Sequence, residues 1–170
     1  MMTNEQEARV RGWFAGRLPE AWRGATITVD REEITVEVPL PDVELADASE
    51  VERDEARAGR ISAWREETRE QRIEIAREAE HRYERKVAWA VRMGERTERF
   101  THLAVPVMTR LRQPQRLVLD TLVEAGVARS RSEALAWCVR LVAQHQDEWL
   151  SELRSAMTAV ADVRDRGPAA

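Results

Sequence analysis

The sequence predicts a mainly α-helical protein with short β segments. Three observations lead there. Glycine and proline are scarce, with 7 and 6 among 170 residues, and the stretches that lack both are rich in Glu, Arg, Ala and Leu. Two short runs near the start alternate apolar and polar residues. From about residue 115 onward, apolar residues recur three and four apart, the period of a helix face.

The elements follow in order. Thr3 with Gln6 forms a capping-box pattern, and Val10, Trp13, Phe14 and Leu18 then share one helical face, so a first helix is expected to about Trp22. Ala25, Ile27 and Val29 point one way, as do Ile34, Val36, Val38 and Leu40. The polar turn Asp30-Arg31-Glu32-Glu33 between them completes a β-hairpin with one apolar face. A lone hairpin is marginal in water, so the first helix is expected to cover it. Residues 49–86 are dense in Glu and Arg, with Glu66/Arg69, Glu74/Arg77 and Glu78/Arg82 spaced to support a helix. Its apolar positions (Val51, Ile61, Trp64, Ile73, Ile75, Ala79, Tyr83, Val87) are too thin for a coiled coil. A long solvated spacer helix is expected, or a helix pairing with its own copy, with Gly59 as a break. Val87, Trp89, Val91 and Met93 alternate up to Gly94 and fit either a strand or the end of that helix, with the strand preferred.

Composition bounds what the chain can be. At 43 % hydrophobic and 34 % charged residues it supports one modest core plus accessory segments. No apolar run approaches the roughly 20 residues that a bilayer requires, and no leader pattern is seen, so a cytoplasmic protein without a membrane partner is expected. Cys138 is the sole cysteine and is expected to be quietly buried. The net charge of −4 hides an asymmetry: residues 87–143 carry nine arginines against five acids, whereas residues 1–49 carry five against ten. Positive charge concentrated in one segment is what phosphate contacts need.

That segment opens with Thr101 to Leu111, in which Leu103, Val105, Val107 and Leu111 share one face of an alternating run. His102, Met108 and Arg110 share the other. Pro106 cannot donate a ladder hydrogen bond, which limits where such a strand can lie. A helix follows, with Pro114 near its start and Val118, Leu119, Leu122 and Val123 on its apolar side. Gly126 stands where a left-handed residue ends a helix. Ser130-Arg131-Ser132-Glu133 is a second capping box, opening a long helix along which Leu135, Val139, Val142, Trp149, Leu153, Val160 and Val163 form a stripe.

The run Leu119-Asp120-Thr121-Leu122-Val123-Glu124-Ala125-Gly126-Val127-Ala128-Arg129-Ser130-Arg131-Ser132-Glu133-Ala134-Leu135 resembles the helix-turn-helix half of ribbon-helix-helix proteins of the Arc, MetJ and CopG type. The resemblance covers about residues 101–144. It implies a homodimer whose paired strands lie in the major groove of double-stranded DNA, where one ribbon face reaches base edges. Arg110 would then read guanine, Met108 a thymine methyl, and His102 a base further off. Arg112, Arg116, Arg129, Ser130, Arg131 and Ser132 would hold phosphates, the last three at a helix N-terminus. Leu103, Val105, Val107, Leu111, Leu119, Leu122, Leu135, Val139 and Val142 would fill the dimer core. If the strand ends instead at Val105-Pro106, His102 and Ala104 become the readers and Arg110 moves onto a helix.

Four domains are expected on this reading: 1–46, the helix and hairpin; 47–86, the charged helical spacer; 87–147, the ribbon-helix-helix domain; and 148–170, a helical extension and tail. His81, His102 and His145 stand far apart without further ligands at metal spacing, and no phosphate loop or nucleophile motif is present, so neither metal, cofactor nor catalysis is expected. The function implied is a nucleoid-associated, sequence-specific transcriptional repressor. Alternatives are an antitoxin that represses its own operon, with the C-terminal helix masking a toxin, or a dimeric interaction protein that does not bind DNA. The N-terminal module or the C-terminal helix would be the docking site for any protein partner.

Overall fold

The computed structural model describes residues 4–166, so the Thr3 cap lies outside the described residues. The protein is mostly helical, with six α-helices and one small four-stranded sheet among the described residues. It divides into two compact units that meet in sequence at Pro106 and Val107.

In the first unit, α1 (Asn4–Arg17) buries Val10 and Phe14 completely. It stops earlier than the apolar spacing suggests, because Pro19 interrupts the chain before a single 3-10 turn at Glu20–Trp22. The hairpin of β1 (Thr26–Val29) and β2 (Glu33–Pro39) forms as expected. Asp30 shapes its turn, its Oδ1 accepting from the Glu32 and Glu33 amides at 2.7 and 2.8 Å.

The charged stretch is not a spacer. It is two helices, α2 (Glu50–Glu67) and α3 (Arg69–Tyr83), that bury Ile61, Trp64, Ile75 and Ala79 in the core shared with α1 and the sheet. A thin stripe suffices because each helix meets that core along one side while its other faces stay in water. The break falls at Thr68, whose hydroxyl donates to the Trp64 carbonyl at 2.7 Å, and Gly59 lies inside α2. Ser49 and Glu52 start α2 with a full capping box.

The α3 helix ends at Glu84, in the left-handed conformation at φ 55°. The chain then enters β3 (Lys86–Met93), which settles the strand-or-helix alternative, and turns at Gly94 into β4 (Arg96–Arg99). The sheet order is β1-β2-β3-β4, with β3 parallel to β2 from Glu33↔Lys86 to Pro39↔Arg92. Parallel neighbours need a long crossover, and α2 with α3 supply it. Residues 87–99 therefore belong with the N-terminal hairpin, which corrects the expected domain boundary at 87.

One sheet face carries Ile34, Val36, Val38, Val87, Trp89, Val91 and Met93 into the core. Trp22, Trp64 and Trp89 pack there at ring separations of 5.3 and 5.6 Å. The opposite face is polar: Arg99 on β4 hydrogen bonds Glu33 and Thr35 on β2, so its side chain crosses the intervening β3. Ala88, paired with Thr35, is small enough to pass beneath it and is almost fully buried.

In the second unit, α4 (Gln113–Glu124) ends in a Schellman turn. Gly126 at φ 75° donates to the Val123 carbonyl at 3.0 Å, and Val127 donates to the Leu122 carbonyl at 3.0 Å. The next helix, α5 (Arg131–His145), is capped by Ser130, whose Oγ accepts from the Glu133 amide at 3.2 Å. The expected capping box is shifted by one residue at its other half: the Glu133 carboxylate accepts from the Arg129 amide at 2.8 Å, not from that of Ser130. The long last helix is interrupted at Gln146 (φ −129°, ψ 29°), after which α6 (Asp147–Arg166) begins with two acids in its first turn. Among the described residues of this unit, Leu119, Ala128 and Ala134 are buried.

Candidate nucleic-acid interface

Residues 101–112 form no helix or strand in the single chain. The expected ribbon is therefore not paired within one molecule, and nothing in the chain sorts its two faces. Three of the inward set are exposed, Leu103 at 39 %, Val105 at 43 % and Val107 at 87 %, and the outward residue Met108 is at 95 %. His102 and Arg110 are exposed as well and make no ion pair among the described residues.

The remaining expected core divides in two. Leu111, Leu122 and Leu135 are partly buried around Leu119, together with Val123 and Cys138. Val139 and Val142, on α5, are 63 % and 50 % exposed. Ala128 and Ala134, on either side of the Ser130 cap, complete this cluster with Leu119 of α4.

A recess of about 340 Å³ brings several of these residues together. Val107, Met108, Leu111, Leu119 and Leu135 give it apolar walls, and Thr109, Arg116, Arg131 and Ser132 line its polar side. The α5 N-terminus contributes here because the first intrahelical bond runs from the Ala134 amide to the Ser130 carbonyl at 2.9 Å. The Arg131 and Ser132 amides precede it and are unsatisfied within the helix. The Ser130 Oγ accepts the capping bond from the Glu133 amide, which leaves its O–H to donate elsewhere.

The arginines expected at phosphates are not all free. Arg131 grips Asp120 through Nε and Nη2 and holds that carboxyl below its ordinary range, chiefly by these hydrogen bonds. Arg129 Nε stands 3.2 Å from Glu133, whose carboxyl is likewise lowered by this partner. Arg116 Nη1 donates to the Leu111 carbonyl at 2.9 Å, which ties the end of the extended segment to α4. Arg112 makes no ion pair among the described residues, and its amide donates to Gln115 Oε1 at 2.9 Å. No signal in the sequence pointed to the Asp120–Arg131 pair, because it depends on how α4 and α5 cross.

Among the described residues, no three His, Cys, Asp or Glu side chains gather as a metal would require, and no helix is long and apolar enough to cross a membrane.

Comparison with known proteins divides the chain close to the same place as its fold. Residues 8–99 match the family described as Rv1265-like protein, N-terminal domain, and residues 112–164 match the Mb1296 C-terminal domain. The Mycobacterium bovis protein Mb1296 and the Mycobacterium tuberculosis proteins MT1303 and Rv1265 are each 60 % identical over 159 residues. That span is 92 % of this chain and 69 % of each relative. No solved structure matches.

Proposed function

The chain belongs to the Rv1265-like family, and from that premise we propose that its C-terminal domain is a ribbon-helix-helix module that dimerises and binds a specific DNA site, as a transcriptional repressor does. The observation that carries this reading is the alternating segment 103–107, exposed and unpaired in one chain, directly ahead of two helices joined by a Schellman turn and a serine cap. A second copy offers the partner strand. It also answers a physical need: three buried residues among those described make a small core for a unit of this size. Two-fold pairing would cover Leu103, Val105 and Val107 and bring Val139 and Val142 against the partner.

In the dimer, Arg110 and Met108 would face the major groove, while Arg112, Arg116 and the α5 N-terminus would hold the flanking phosphates. The experiment is sedimentation equilibrium of the wild type beside the double variant Val105→Glu, Val107→Glu. Both positions are exposed in the single chain, so the helices should survive. A dimeric wild type and a monomeric, folded variant support the reading; equal masses would end it.

A second reading is a dimeric interaction protein that does not bind DNA. It is favoured by the engagement of Arg129 and Arg131 with Glu133 and Asp120. The exposed apolar residues of α6, Trp149, Leu153, Met157, Val160 and Val163, give such a protein, or an antitoxin, a docking face. The salt dependence of duplex binding separates these from the repressor, because several phosphate contacts give a steep slope.

A further inference from the structure

The first unit holds a cationic recess that none of the foregoing uses. It lies where α2 gives way to α3, has a volume of about 430 Å³, and is lined by Arg65, Arg69, Arg72, Glu66, Phe100 and Thr101 among others. Arg72 is its buried member, 8 % exposed. Nη2 of Arg72 donates to the Arg65 carbonyl at 2.7 Å and Nε donates to Thr68 Oγ1 at 3.1 Å. Its guanidinium lies 5.1 Å from the centre of the Phe100 ring and 5.7 Å from that of Trp64. Arg65 stands over the same Phe100 ring at 5.3 Å.

Aromatic rings and two hydrogen bonds position the Arg72 guanidinium but bring no negative charge to it. A buried cation ordinarily has a carboxylate partner. Here none of Arg65, Arg69 and Arg72 makes an ion pair among the described residues. Burial disfavours the charged form of Arg72, and Arg65 and Arg69 oppose it further, against partial relief from Glu66. In addition, α3 opens at Arg69 without a side-chain cap, because the Thr68 hydroxyl is turned back to the Trp64 carbonyl.

We propose that this recess binds a phosphate group, held by Arg65, Arg69 and Arg72 against the Phe100 ring. Guanidinium forks match phosphate oxygens in pairs, and a single anion would relieve the repulsion among all three. The phosphate has two sources with the same oxygens: a free phosphate or phosphomonoester, or a backbone phosphodiester of bound DNA. The second source rests on the reading of the C-terminal domain as a DNA binder; the first does not.

The test uses the full chain and the double variant R65Q/R69Q, because both side chains are exposed and the buried Arg72 stays in place. R31Q, at the hairpin turn, is the control, and circular dichroism verifies that each variant is folded. Inorganic phosphate and pyrophosphate are titrated by calorimetry, and a short duplex is titrated separately at several salt concentrations. Binding of either free anion that weakens at least tenfold in R65Q/R69Q and not in R31Q supports the site and assigns it to a free phosphate. If only duplex binding weakens, with the salt slope falling by about 1.8, the site holds and the phosphate comes from DNA. If folded R65Q/R69Q matches wild type in both titrations, the proposal is overturned, whatever the C-terminal domain does.

Discussion

Arg131 and Asp120 face each other across the turn between α4 and α5, with Nε to Oδ1 at 2.6 Å and Nη2 to Oδ2 at 2.8 Å. Two parallel contacts of this kind fix a guanidinium in orientation as well as position. The pair locks α4 to α5 at the N-terminus of α5, where the proposed phosphate would bind. Arg131 thus either holds the fold or contacts DNA, and which of these dominates can be measured.

Asp120→Asn releases Arg131. If Arg131 contacts phosphate in the complex, the variant binds duplex more tightly at low salt, and its salt slope steepens by roughly one unit per half-site. Fluorescence anisotropy between 50 and 200 mM salt reads both effects. Unchanged affinity and slope would mean that Arg131 stays with its carboxylate and serves the fold alone.

Acid should weaken a second clasp. Arg57 hydrogen bonds Asp42 at 2.8 and 2.7 Å, and these bonds, with the Val43 amide, hold the Asp42 carboxyl down at about 2. A carboxyl lowered on folding contributes stability above its unfolded pKa of about 3.9, and that contribution is lost as pH falls through the folded value. The melting temperature of Asp42→Asn should therefore lie below wild type near pH 6, with the gap closing between pH 4 and 2. A constant gap would remove titration of Asp42 as its cause.

The path of Arg99 across β3 makes Ala88 a steric requirement. Ala88→Val should push the guanidinium away from Glu33 and Thr35 and destabilise the first unit by about 1–3 kcal/mol, as overpacking does. The urea midpoint measures it. A variant as stable as wild type would show that Arg99 has room to move aside.

The charged helices carry core weight, so position along them should matter sharply. Ile61→Ala, at a fully buried site, should cost about 2–5 kcal/mol. Val51→Ala, on the same helix but 73 % exposed, should stay within about 0.5 kcal/mol. Equal effects in denaturant titrations would return α2 to the status of a solvated spacer.

What could be read from the sequence follows from the range of the interactions. The turn between α4 and α5 was legible because Gly126 and Ser130 act within a few residues of themselves. The β1–β2 hairpin was legible for the same reason. The parallel pairing of β2 with β3 was not, because Glu33 and Lys86 lie more than fifty positions apart and neither strand carries a local mark of its partner. The spacings Ile61–Trp64 and Ile75–Ala79 did contain the buried stripe of α2 and α3, but the surrounding Glu and Arg made it look too thin to matter. At the candidate interface, the sequence supplied the arginines but not their acidic partners. Arg131 meets Asp120 eleven positions away, and the convergence of Arg65 and Arg72 on Phe100, with Arg69 lining the same recess, is a product of tertiary packing.

The measurement that bears most directly on the central claim is selection of bound duplexes from a random pool, with wild type and Arg110→Ala side by side. The account predicts that wild type enriches a short, roughly palindromic site, as two-fold pairing requires, and that the variant loses preference at one base in each half. A wild type that enriches no sequence even at low salt would contradict it.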